Sequence, residues 1–334
     1  MPVSVGGSSS RTEEVSRSSW RQQAAWIGED QRGHVLSIAS YPTWWIPIDG
    51  NGQFSYLDEN LEVAVVPGEM PLQGSFAEVR KQIQQEESTK KGGLTPGKLL
   101  ALTGYDTNRV GVGELPSLHL TLQQTGYFDF IASSVDARSL PARTLALSRF
   151  IPRAQPLQGF PNGVAICLIL QSSDGKLIFG RRSDGKVGPR RGEWDVSVVE
   201  GLHPTHDFDS ATGRVDLTKA AIRGLREELG YLASSDEVEL LGFGVDLEFY
   251  QWNVIGLVRA RASALEIMQK RIAHAKDRHE YRYLHPVEAH PLEVLRFLWA
   301  SRMWSSGLAA SHYGLVRLQG IDAVNAAVEE FVAQ

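Results

Sequence analysis

The stretch 218–229 constrains the fold of this chain more than any other, because its apolar residues recur at helical spacing and Gly230 follows where a helix ends in left-handed backbone. Short apolar runs lie on both sides of it. Residues 164–170, the turn 172–175 and residues 177–181 read as strand, hairpin and strand, and 194–199 as a third strand. Beyond the helix, 237–243 and 250–259 are further strands, with helices expected at 263–274 and 292–303. Strands alternating with helices across sharp glycine turns predict a mixed α/β layer fold.

The first half has a different texture. Residues 1–30 hold too few large apolar groups to offset the entropy of ordering and read as a disordered tail. Residues 35–39, 44–48, 54–57 and 61–66 are strand-like, and Asp49, Gly50, Asn51 and Gly52 have the composition of a hairpin turn. A helix is expected at 76–88, and 118–122 alternates as a half-buried strand does. Pro141, Pro152, Pro156 and Pro161 crowd together and place a boundary at about 150–160. The expected organisation is the tail, an N-terminal β-rich α+β companion domain over 31–155, and an α/β domain over 156–334 that ends in helices.

A net charge of −5 supplies no positive field for general nucleic-acid binding, although the pairs Arg181–Arg182 and Arg190–Arg191 would suit a small anion. The single cysteine, Cys167, sits in an apolar run and reads as a small buried hydrophobe. It leaves no internal disulfide, which fits a reducing cytoplasm. Residues 1–21 lack the apolar core of a signal peptide, and no stretch approaches the roughly 18 apolar residues of a membrane span.

Within 220–231, Arg223, Leu225, Glu227, Glu228 and Gly230 fall in register with the signature helix of the Nudix superfamily; Ala220 also fits, and Tyr231 stands where an aliphatic is usual. Gly180, Arg181 and Arg182, then Gly192, Glu193, Trp194 and Asp195, resemble the approach to that helix. The chain resembles a Nudix domain over residues 164–300, which implies an α/β fold with a mixed sheet sandwiched by helices. The stretch 118–129, the Arg181–Arg182 pair and the turn from Glu200 to Pro204 further resemble the UDP-sugar-cleaving Nudix hydrolases.

This resemblance implies metal-assisted hydrolysis of a nucleoside diphosphate linked to another moiety, such as a nucleotide sugar. Residues three and four apart share a helix face, so Glu227 and Glu228 would hold Mg²⁺ or Mn²⁺ against the diphosphate, with Arg223 orienting the carboxylates. Gly201, Arg223 and Gly230 are the structural positions of the motif. Glu228 and Glu280 are the catalytic candidates, with Glu200 as an alternative base. Arg181 and Arg182 either contact phosphate or end a strand in solvent. Homodimerisation is a further expectation of the family.

Two positions depart from the pattern. Gly224 occupies the place of a metal-binding Glu, and Val215 that of an earlier Glu, with Asp216 next to it as a substitute partner for Arg223. Gly201 lies further upstream than the family spacing puts it, which implies an insertion within 202–213 carrying His203, His206, Asp207 and Asp209. A mid-helix glycine is unfavourable by about 1 kcal/mol relative to alanine, so Gly224 implies close approach of another backbone or a ligand. Gly224 also favours a second reading, a module that binds a nucleotide diphosphate derivative without cleaving it. A third reading is an interaction protein whose working surface is the N-terminal stretch. For Glu280 the plain reading is a charged loop, for His203 and His206 ordinary loop residues, and for Trp44 and Trp45 a packed strand in place of a binding platform.

Overall fold

The computed structural model describes residues 35–39, 41–72, 74–89, 96–137, 155–157, 159–183 and 192–334. The expected tail, the Arg190–Arg191 pair and much of the proline-rich boundary lie outside the described residues.

Trp45–Asp49 forms strand β1. The expected hairpin does not follow it. Gly50 and Gly52 do adopt left-handed backbone (φ 76° and 86°), but 51–57 run on without strand pairing, and the Tyr56 N–H bonds to the Leu240 carbonyl at 2.8 Å. The partner of β1 is a distant strand. Leu61–Glu69 (β2), Gly74–Ser88 (α1), Lys98–Val110 (β3), Leu115–Gly126 (β4) and Tyr127–Ala137 (α2) come next. In the three-stranded sheet β4 is central, parallel to β2 and antiparallel to β3.

Gly163–Gln171 (β5) is buried nearly throughout because alternate residues serve two layers. Val164, Ile166, Leu168 and Leu170 enter one core cluster, and Cys167 and Ile169 the other. Lys176–Arg182 (β6) pairs with β5 only at Leu170–Ile178 and Gln171–Leu177. The two strands then diverge, and Trp194–Asp195 (β7) and Val198–Gly201 (β8) fill the gap, β7 on β6 and β8 on β5. The single strand expected over 194–199 is therefore two.

Leu217–Leu229 (α3), Val238–Asp246 (β9), Gln251–Arg259 (β10), Ala264–His274 (α4), Tyr281–Glu288 (β11), Pro291–Ala300 (α5), Ser305–Gln319 (α6) and Ile321–Ala333 (α7) complete the fold. The eight-stranded sheet runs β11-β6-β5-β10-β9-β1, with β7 and β8 off that path and β10 parallel to β5. Helix α3 packs on β8 and β5, and α6 covers β10, β5 and β9. The architecture is mixed α/β, as the alternation of elements implied, and the sheet lies between helices.

Sequence on either side of the expected boundary meets in one core. Strand β1 pairs with β9, and Leu100, Leu102, Leu118, Leu120 and Leu122 cluster with Val164 and Ile166. The Leu100 N–H donates to the Leu202 carbonyl (3.0 Å), and the Asn162 carboxamide bonds both backbone groups of Leu102 at 2.8 and 3.0 Å. Trp44 and Trp45 are buried in the two different clusters, which makes them strand packing and not an exposed platform. Cys167 is buried and free, and among the described residues no helix is long and apolar enough to cross a membrane.

Candidate carboxylate site

Helix α3 is fixed at both ends by local chemistry. The Asp216 side chain accepts from the Lys219 N–H at 2.9 Å, and Gly230 leaves the helix at φ 62°. Asp216 is thus the N-cap and not the partner of Arg223. That partner is Asp207, from the insertion: Arg223 Nε meets Asp207 Oδ1 at 2.7 Å and Nη2 meets Oδ2 at 2.8 Å. The same guanidinium donates to the Gly201 carbonyl (2.8 Å), pairs with Glu200 through Nη1 at 2.7 Å and reaches Glu227 at 3.9 Å. Val215, where the family places an acid, is buried among apolar residues. The acidic partner of Arg223 therefore comes from a segment 16 residues earlier in the chain.

The reason for Gly224 is the approach of β8. A Cβ on it would lie 2.8 Å from both Glu200 Cβ and Val198 Cγ1. The crowding comes from two side chains of β8. Gly224→Ala should gain helix propensity of about 1 kcal/mol and lose about 1–3 kcal/mol to overpacking. A net destabilisation of about 1 kcal/mol should appear as a lower urea midpoint; a raised midpoint would mean that β8 gives way freely.

Glu228 is buried against β8, its Oε1 accepting from the Val199 N–H at 3.2 Å. Its Oε2 is buried without a hydrogen bond. Burial first, then Glu280 and Glu200, push its pKa well above the usual carboxylate range, against a smaller opposing effect of Tyr281 and Arg182. Burial likewise raises Glu200 to about 7, opposed by Arg223 and supported by Glu227 and Glu280.

A carboxylate whose folded pKa is raised contributes fully below its unfolded value, and that contribution is lost as pH rises through the folded value. Glu228→Gln should therefore be more stable than the wild type at pH 8, by roughly 1–3 kcal/mol, with the gap closing towards pH 4. Thermal melts at both pH values check this. A gap independent of pH would mean that Glu228 ionises freely in the fold.

Arg182 joins two further acids. Its Nη2 meets Glu280 Oε1 at 2.9 Å and its Nη1 the fully buried Asp195 at 3.2 Å, with the guanidinium 5.4 Å from the Trp304 ring. Burial alone would lower its pKa; Glu280 and Asp195 outweigh that and hold it protonated. It is therefore not a solvated strand end. Arg181 differs: half-buried, it lies over Trp194 at 5.5 Å and has no carboxylate partner among the described residues. Glu227 is flanked by Arg223 and by Lys276 at 3.5 Å. His203 Nδ1 accepts from the Thr205 and His206 N–H groups, so this histidine shapes the loop. Tyr127, on α2, is raised to about 12 by burial, with a lowering effect of Arg182 and raising effects of Glu280 and Glu87.

Glu200 and Glu280 thus both act electrostatically on the buried Glu228, and each is itself paired with an arginine, Glu200 with Arg223 and Glu280 with Arg182. As arranged, they do not fit a divalent-metal centre. Glu200 and Glu280 are each committed to an arginine, position 224 has no room for a side chain, and among the described residues no three His, Cys, Asp or Glu side chains form a metal-holding group. Sequence reasoning missed the roles of Asp207 and Asp195. A signal existed for Asp195, since a carboxylate beside the apolar Val196, Val198 and Val199 requires a cationic partner.

No family model and no curated protein matches the chain. Among solved structures it is similar to a protein of Deinococcus radiodurans, with 16% identity, a TM-score of 0.32, and 45% of this chain and 80% of that one covered. It is also similar to the Nudix domain of Shewanella oneidensis NrtR, solved with ADP ribose, at 16% identity and a TM-score of 0.30 over 53% of this chain and 98% of that one. A MutT protein of Methanosarcina mazei Go1 is similar at 12% identity and a TM-score of 0.29, over 47% and 95% respectively.

Proposed function

We propose that this chain is a Nudix-like module that binds a nucleoside diphosphate derivative without cleaving it. The observation that carries this reading is the internal pairing of the acids: Arg223 takes Glu200 and Asp207, and Arg182 takes Glu280 and Asp195. With the charge satisfied inside the protein, little carboxylate is left to hold a metal. Arg181, poised on Trp194, is the guanidinium open to a phosphate, and its planar fork suits that contact.

The test is calorimetry on the full chain with nucleotide sugars, ADP-ribose and dinucleotides, each with Mg²⁺, with Mn²⁺ and with chelator, alongside product analysis. The expected result is saturable binding that survives chelation, no product, and affinity lowered about tenfold (about 1.4 kcal/mol) in Arg181→Ala. Turnover that needs metal and disappears in Glu228→Gln would overturn it.

That outcome would support the second reading, hydrolysis with Mg²⁺ or Mn²⁺ at Glu227 and Glu228 and a base from Glu280 or Glu200. The buried, unbonded Glu228 Oε2 favours it. It requires Arg223 or Arg182 to release its carboxylates first.

A further inference from the structure

A cleft of about 440 Å³ lies at the β1 edge of the eight-stranded sheet, the edge opposite β11 and the Arg182–Glu280 pair. Its volume falls within the range of small-molecule sites. Ile48, Asp49, Asn51 and Phe54 line it from the β1 side, and Arg109 and Glu114 from the end of the β3–β4 hairpin.

The walls are pre-formed. A Cβ on Gly50 would lie 2.3 Å from the Leu241 carbonyl oxygen, and one on Gly52 2.5 Å from that of Tyr313, so the 50–53 loop sits directly on β9 and α6. Arg317 also donates to the Gln53 carbonyl at 3.2 Å. On the other wall, Glu114 is held in left-handed backbone (φ 47°) by its N–H bond to the Gly111 carbonyl.

The charges are unequal. Asp49, its side chain only 5% exposed, accepts from Tyr56 Oη (2.7 Å) and Arg109 Nη2 (2.6 Å), while Arg109 Nη1 is spent on the Asn108 carbonyl. Arg109 is thereby a fixed part of the wall, and Glu114 remains as the exposed carboxylate. The Phe54 ring, 57% exposed, borders the same space. An exposed aromatic face next to a surplus carboxylate attracts a cation both through the ring quadrupole and through charge.

We infer that this cleft binds a small organic cation, an amine or guanidine on an apolar body, with its charge against Glu114 and its body on Phe54. The site is separate from the carboxylate cluster and independent of any nucleotide.

Ligand-observed NMR and calorimetry on the full chain would use benzylamine as the probe, with benzyl alcohol and benzoate as controls of the same shape. Benzylamine should bind saturably, benzyl alcohol about tenfold more weakly, and benzoate not at all. Glu114→Gln and Phe54→Ala, both on the surface and checked for folding by circular dichroism, should each weaken benzylamine about tenfold. Equal affinity for the alcohol, unchanged affinity in Glu114→Gln, or no saturation by about 10 mM benzylamine, far weaker than the 1 mM that corresponds to about 4 kcal/mol of binding, would overturn the inference. Nucleotide binding should be the same in both variants, so failure here leaves the nucleotide reading intact.

Discussion

Arg223→Met should cost about 3–5 kcal/mol of folding free energy, because it leaves a buried carboxylate without its counter-ion. Asp207 is fully buried, and both of its oxygens bond Arg223. The His203 N–H, at 2.7 Å from Oδ2, is the other donor to Asp207 and cannot neutralise it. Glu200 would lose its guanidinium as well, and the Gly201 carbonyl a donor. Arg223→Lys should recover only part of the loss, since an ammonium cannot meet two carboxylates and a carbonyl in one plane. The decisive comparison is the double variant. Adding Asp207→Ala to Arg223→Met removes the stranded charge, so the pair should be more stable than Arg223→Met alone. Urea unfolding of the four proteins measures this. A loss below about 1 kcal/mol in Arg223→Met would mean that Asp207 reaches water and that the clamp is a surface ion pair.

The parts of this site that were legible in the sequence are those set by local rules. Helix α3 showed itself through its period and through Gly230, whose left-handed φ ends the helix by its own backbone preference. Gly224 was legible as an anomaly but not as to cause, because Val198 and Glu200 reach it only where β5 and β6 diverge and β8 enters. Asp207 was hidden for a similar reason: the short pairing of Phe208–Asp209 with Arg214–Val215 folds the insertion back to Arg223.

The same division runs through the fold. The turn residues after β1 supplied the positive φ expected of them, yet the partner of β1 is β9, nearly two hundred residues away, and turn chemistry says nothing of partners that distant. In β3 the buried run Leu100, Ala101 and Leu102 does not alternate, so the period-two signal is missing. Helix α6 is buried along most of its length, including Ser305, Ser306 and Ser311, and therefore lacks the polar face by which a sequence announces a surface helix.

A fragment of residues 156–334 is expected not to fold cooperatively, although helix α3 and the carboxylates paired with Arg182 and Arg223 all lie within it. Cutting there removes β1 and exposes the edge of β9 from Phe243 to Asp246. Trp45, fully buried in the cluster under α6, and Trp44, in the cluster under α3, would both be lost. Leu100, Leu102, Leu118, Leu120 and Leu122 would leave the cluster that holds Val164 and Ile166. Each large side chain so removed contributes roughly 1.5–3 kcal/mol of burial, and the sum, roughly 10–20 kcal/mol, is as large as the 5–15 kcal/mol by which a typical domain is stable. The fragment should be insoluble, or compact without a sharp thermal transition, whereas the full chain melts cooperatively. Circular dichroism melts and amide NMR dispersion compare the two. A fragment that melts sharply with dispersed amides would establish 156–334 as an independent domain and the earlier stretch as a companion docked upon it. If the fragment fails as expected, the first half of the chain completes the sheet on which the carboxylate site is built.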